Sequence, residues 1–190
     1  MDISEIIEKY EQRAYKTIPK LKDFFSGSDT RFLVVQQDWS TPLFYPDKPD
    51  IRLVVKNNLI HMENNLAAEW SDHLPFFEPW YGVGIYATAF GCDYVWQKGK
   101  APDTHYRYHS IDEIRSLSYP DWKETSPAMV AVLDCIDALK EAGRERIPIS
   151  LTDTQSPFDT STLILDAVEF LTHCYIEPET VCALMEQVTS

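Results

Sequence analysis

The run Ile147-Pro148-Ile149-Ser150-Leu151-Thr152 limits what this chain can fold into more than any other segment. It is short, largely apolar and set between two helix signals, so it reads as a strand. Ahead of it, Ser126-Pro127 supplies an N-cap serine with proline at the first helical position. The helix that follows is expected to bury Met129, Val132, Leu133, Ile136 and Leu139 and to stop at Gly143. Behind the run come the polar loop Asp153-Thr154-Gln155-Ser156-Pro157, a helix over about 160–174, and a last helix opened by Pro178. Helices alternating with a strand in this way build βαβ units around a parallel sheet, so the expected class is α/β.

The first 70 residues are expected to be a helical extension with one strand. Ile3, Ile6, Ile7, Tyr10, Ala14, Ile18, Leu21 and Phe25 recur at helical spacing and predict an amphipathic helix over 2–25, bent or broken near Pro19. Ser26 to Asp29 reads as a turn and Arg31 to Gln36 as a buried strand. Prolines 42, 46 and 49 make 39–50 a loop, and periodicity through Leu53, Val54, Leu59, Met62 and Leu66 predicts a helix over 51–70. Gly82 to Gly91 reads as extended backbone in close approach to another element. Asp93–Trp96 and Thr104–Tyr108 are expected to pair as a hairpin around Lys98-Gly99-Lys100. Ser110-Ile111-Asp112-Glu113 is a capping box.

Charge narrows the partners. Seventeen Lys and Arg against 30 Asp and Glu leave a net charge of −13, which repels phosphate backbones and anionic headgroups. Nucleic acid and membranes are therefore not expected as partners. The acidic start Met1-Asp2-Ile3-Ser4-Glu5 carries no apolar signal core, which leaves the cytoplasm as the expected compartment. Cys92, Cys135, Cys174 and Cys182 form no CxxC pair and are expected to stay reduced.

Several stretches together resemble one family. They are Ser71-Asp72-His73-Leu74-Pro75, Glu78-Pro79-Trp80-Tyr81-Gly82, Ala89-Phe90-Gly91-Cys92, the segment Ile147–Asp159, and Tyr175-Ile176-Glu177-Pro178-Glu179. From about Asp72 onward the chain resembles the uroporphyrinogen decarboxylase superfamily, which also holds cobalamin-dependent methyltransferases. The resemblance implies that residues 71–190 are the N-terminal half of a (β/α)8 barrel, as one continuous domain. Such barrels typically need about 250 residues. The expectation is thus a truncated chain, a split subunit, or a half that pairs with itself or with a complementary half-barrel, since open parallel edges invite pairing. The parent activity implied is tetrapyrrole decarboxylation or corrinoid-linked methyl transfer, incomplete in this chain. The alternative is a non-catalytic half-barrel that binds or assembles.

The resemblance matches Asp72 to the family aspartate that holds the pyrrole nitrogens of the substrate, where a carboxylate stabilises developing positive charge. The other reading is that Asp72 simply ends a helix. Trp80, Tyr81 and Phe90 belong to an aromatic crowd that either walls a flat tetrapyrrole or corrin ligand or forms core. Asp153, Thr154 and Gln155 follow the strand and either bind a ligand at the barrel mouth or cap the next helix. The decarboxylases' arginine-rich loop has no counterpart near 36–45, and their active-site tyrosine falls at Leu163. The methyltransferases' zinc ligands belong to the half that is not present, so a corrinoid or zinc is implied only for a full-length relative. His105 and His109, four apart in a strand, would stand ~13 Å apart, too far for one metal. His173, Cys174 and Cys182 lack ligand spacing.

Overall fold

In the computed structural model the described residues are 2–28, 32–42, 50–97 and 100–189. They form eight α-helices, one 3-10 helix and a single two-stranded sheet. The chain divides into two compact units: residues 1–43, 50–79 and 135–150, and residues 44–49, 80–134 and 151–190.

In the first unit, α1 (Ile3–Ser26) starts where the Asp2 carboxylate accepts from the Ser4 N–H and ends at Gly27 in the left-handed region. It runs through Pro19 without a break. Its buried residues are Ile6, Ile7, Arg13 and Thr17, so the apolar stripe expected through Ile18 and Phe25 does not hold. Ile18 is 41% exposed and Phe25 81%. The reason is polar: Arg13 reaches across to α2 (Ile51–Ala67) and donates to the carbonyls of Asn65, Leu66, Ala68 and His73 at 3.2, 3.0, 2.8 and 3.3 Å. The carbonyls of Asn65, Leu66 and Ala68 are the orphan acceptors of the α2 C-terminus, and one guanidinium satisfies them together with that of His73.

The strand expected at 31–36 is not formed. Arg31 lies outside the described residues, and Phe32 and Val35 are 73% and 61% exposed. The segment is held instead by Ser71 and Asp72. The Asp72 N–H donates to the Val34 carbonyl, the Asp72 carboxylate accepts from the Val34 N–H, and Ser71 exchanges hydrogen bonds with Gln36. Asp29, residues 43–49 and the tip Lys98-Gly99 of the expected hairpin also lie outside the described residues. The strand expected at 147–152 contracts to one parallel bridge, Phe77 with Ile149, and Leu151 is 90% exposed.

In the second unit the glycine-rich segment is a turn followed by a 3-10 helix (Tyr86–Phe90), not extended chain. The close approach expected of it is present: a Cβ on Gly84 would overlap the Thr104 hydroxyl, and one on Gly82 would overlap the Tyr94 hydroxyl. Beside it stands the hairpin, β1 (Asp93–Val95) antiparallel to β2 (Asp103–His105), in the register Asp93–His105. His109 is therefore off the strand. The capping box opens α3 (Ile111–Ile114), and α4 (Trp122–Thr125) leads into α5 (Pro127–Ala142). Leu133 is 47% exposed rather than buried.

The single helix expected over 160–174 is two helices, α6 (Pro157–Ile164) and α7 (Ala167–Ile176). They separate because Leu165 makes a parallel bridge with Tyr108 and Asp166 caps α7 through the N–H groups of Val168 and Glu169. The last helix, α8, is Pro178–Thr189. Phe90, Ile111, Ile114, Ile164, Phe170 and Leu184 sit at the centre of this unit's core.

Candidate functional site

A cleft of about 360 Å3 opens in the second unit. Its aromatic wall comes from Tyr81 and from the hairpin residues Tyr94 and Trp96. The Trp96 ring meets Tyr81 at 6.3 Å between centroids and 82° between planes, and Tyr94 at 5.8 Å and 76°. The walls are thus a corner of near-perpendicular rings, not two faces of a slot. Tyr94 is the middle residue of β1, and Trp96 follows directly after its end. The Tyr94 hydroxyl donates to the Tyr81 carbonyl, which ties the hairpin to the turn, and burial pushes that phenol's pKa up.

The floor is small-residue helix: Ala128 and Ala131 lie three apart on α5. It is fixed by a polar clasp in which the Thr88 and Ser126 hydroxyls share a hydrogen bond and the Thr125 hydroxyl donates to the Ala89 carbonyl at 2.9 Å. Asp93 is the one charged lining residue among the described residues, and no salt bridge engages it there. Arg107, whose guanidinium donates to the Gly91 carbonyl at 3.3 Å, is not part of the lining. The Cys92 thiol at the cleft is buried, which pushes its pKa up to about 11, so it is no thiolate nucleophile at neutral pH.

Of the residues anticipated from the sequence, Tyr81 lines this cleft and the others do not. Trp80 and Phe90 are buried at 5% and 7% exposure. The Trp80 indole N–H donates to Asp153 at 3.3 Å, which joins two of the expected positions. Thr154 is exposed, and Gln155 keeps its buried amide oxygen without a hydrogen-bond partner among the described residues. Asp93, Tyr94 and Trp96 were not anticipated. The signal that could have found them was the aromatic pair two apart beside an acid on a hairpin strand.

Asp72 belongs to the first unit and is 8% exposed. It pairs with Lys20 at 2.8 Å, and that bond and the Val34 N–H hold its carboxyl below the usual range. The cation it faces is therefore one of the chain's own. The groove beside it, about 380 Å3, carries Lys9, Arg13, Lys16 and Lys20 along α1. Lys9 pairs with Glu5 at 2.7 Å, Lys20 with Asp72, and Arg13 is spent on α2. Only Lys16 is left without a partner among the described residues, so this groove is no anion site.

The described residues hold no group of three or more His, Cys, Asp or Glu placed for a metal ion. The donor set does not fit zinc, and a corner of this size does not fit a corrin face. No helix among the described residues is long and apolar enough to cross a membrane.

The sequence profile of the family described as uroporphyrinogen decarboxylase (URO-D) matches residues 81–190, more than half of the chain. The chain belongs to that family. The match takes in the whole cleft and begins after Asp72 and Trp80. Among solved structures, a methyltransferase from Methanosarcina mazei is similar at a TM-score of 0.64 and 14% identity. The likeness covers 90% of this chain and 51% of that one, so the chain spans about half the length of that relative. At that identity the likeness concerns the fold alone. No curated protein matches the sequence.

Proposed function

We propose that this chain is the N-terminal part of a URO-D-type barrel enzyme and serves methyl transfer on a small substrate rather than decarboxylation of a tetrapyrrole. The observation that carries this reading is the charge of the cleft: among the described residues one acidic residue and no cation line it. A porphyrinogen presents several carboxylates, which a site must meet with arginine or lysine. This cleft would repel them. In this reading Tyr81, Tyr94 and Trp96 exclude water and position the substrate. Asp72 acts on the first unit's own Lys20 and Val34. Trp80 and Phe90 are core residues, and Asp153 and Gln155 remain as polar contacts outside the cleft.

Two assays on the purified chain test it. Release of carbon dioxide from uroporphyrinogen is expected to be absent. Transfer of a labelled methyl group from a small sulfonium or ammonium donor to a thiol, giving the methyl thioether and releasing the demethylated donor, is expected to be accelerated. Decarboxylation would overturn the reading, and the absence of both activities would favour the next one.

The second reading is an assembly role. On α7, Val168, Leu171 and Tyr175 share one face and are 74%, 55% and 92% exposed, while Phe170 on the opposite side is fully buried. A helix face this apolar is ordinarily covered. Sedimentation velocity of the parent and of a Leu171→Glu, Tyr175→Glu double variant tests it. Association that the double variant abolishes supports the role, and a monomeric parent removes self-association.

A further inference from the structure

Besides its buried side, α1 carries a second row of residues that faces outward. Glu8, Glu11, Tyr15, Ile18, Lys22 and Phe25 follow one another at alternating steps of three and four, the spacing of a heptad seam. We infer that this row is a docking surface for a second copy of the chain, whose own α1 lies against it antiparallel. The inference goes beyond the methyl-transfer reading and does not depend on it.

Three observations point to a second copy. The apolar members of the row are left in water: Tyr15 is 86%, Ile18 41% and Phe25 81% exposed. Ile6, Ile7, Arg13 and Thr17 form the buried side of the same helix. Bulky side chains at heptad spacing are ordinarily covered by a facing helix. The charges of the row are segregated, with Glu8 and Glu11 in the first half of the helix and Lys22 in the second. The row is also complementary to its own reversal. With a two-fold axis between Tyr15 and Ile18, Tyr15 meets Ile18 of the second copy, Glu11 meets Lys22, and Glu8 meets Phe25. A parallel pair would instead set Glu8 on Glu8, Glu11 on Glu11 and Lys22 on Lys22, so charge repulsion rejects it.

The ionic groups are available for this contact. Lys22 makes no salt bridge among the described residues. Glu11, with its side chain 42% exposed, holds Arg146 of its own chain through Oε1. A chain of net charge −13 repels its own copies, so two molecules approach most readily where the signs alternate, as they do along this row. Tyr15, Ile18 and Phe25 supply all of its apolar area, which puts the contact at the weak, reversible end of protein interfaces.

Sedimentation velocity of the full chain over a roughly hundred-fold concentration range is expected to show reversible dimerisation. Lys22→Glu sets a second carboxylate against Glu11 in both symmetry-related layers and is expected to weaken the dimer about ten-fold. Glu11→Lys is expected to do the same. The double swap Glu11→Lys, Lys22→Glu pairs opposite charges again and should return to within about two-fold of the parent. Ile18→Glu, at an exposed position, is expected to abolish association, with circular dichroism and the urea midpoint confirming the fold. Dimerisation that survives both Lys22→Glu and Ile18→Glu would overturn the seam. The same holds for association lost only in the Leu171→Glu, Tyr175→Glu variant, which would belong to α7. A double swap no better than the single ones would overturn the antiparallel register, and a parent monomeric throughout would overturn the surface itself.

Discussion

Arg13→Met removes the guanidinium that closes the C-terminus of α2 while keeping most of the side-chain volume. Arg13 is 7% exposed and makes four hydrogen bonds, two at 2.8 and 3.0 Å and two at 3.2 and 3.3 Å. A hydrogen bond to a charged group contributes about 1.5–3 kcal/mol net, so the two short ones are worth at least ~3 kcal/mol. The bonds to Ala68 and His73 are only part-buried, and water replaces part of their loss. Burial already disfavours the charge and holds the Arg13 pKa down, which offsets some of the gain. The expected loss is about 3 kcal/mol, against the 5–15 kcal/mol that typically stabilises a domain. With an m-value near 2 kcal/mol/M, the urea midpoint should fall by roughly 1.5 M. Arg13→Lys, with three donors on one nitrogen, is expected to recover less than half of that. A midpoint for Arg13→Met within the error of the parent's would refute the reasoning, because the four carbonyls would then be satisfied without the arginine.

The other expectations concern charge, sterics and thiols. Asp72→Asn keeps an acceptor for the Val34 N–H and removes only the charge, so at pH 7 it should cost about 1 kcal/mol, the Lys20 partner being largely exposed. Because the folded pKa of Asp72 is depressed, its contribution is complete above the unfolded value of about 3.9 and is lost as pH falls through the folded value. Urea midpoints of parent and variant should therefore converge in acid, and a difference persisting well below pH 3 would contradict the ion pair. Gly84→Ala drives a Cβ into Thr104 and should lower stability by about 1–3 kcal/mol, read as a drop in the thermal midpoint; an unchanged midpoint would mean the turn and hairpin are not in contact. At pH 8 a thiol reagent should label Cys182 fast, leaving Cys92 and Cys135, raised by burial to about 11 and about 12, silent until the protein unfolds.

Local signals with a single cause were legible in the sequence. The capping box at Ser110, the proline starts at Pro127 and Pro178, the stop at Gly143 and the hairpin all hold, because each depends on a few adjacent residues. The family was legible for the same reason, through short fixed patterns. What failed depends on distant partners. Residues 32–36 read as a strand, yet a strand needs a neighbour, and here side chains of Ser71 and Asp72 take the backbone groups a ladder would use. The α6–α7 break hangs on Tyr108, more than fifty residues upstream of Leu165. Arg13 sits seven residues after Ile6, on its stripe, but its acceptors on α2 could not be seen from α1 alone. At the site, the aromatic crowd was read as one cluster around Asp72, whereas Trp70 is 62% exposed in the first unit and Tyr81 belongs to the second. The face the hairpin presents is set by its packing on the turn at Gly82 and Gly84, which the pairing pattern of two strands does not encode.

The central claim is that the cleft formed by residues between Tyr81 and Ala131 refuses a polyanion. The chain has five tryptophans, and their indole N–H signals in an NMR spectrum report on each separately. Addition of coproporphyrin is predicted to leave the Trp96 signal in place. A Trp96 signal that moves saturably with coproporphyrin would contradict the claim outright.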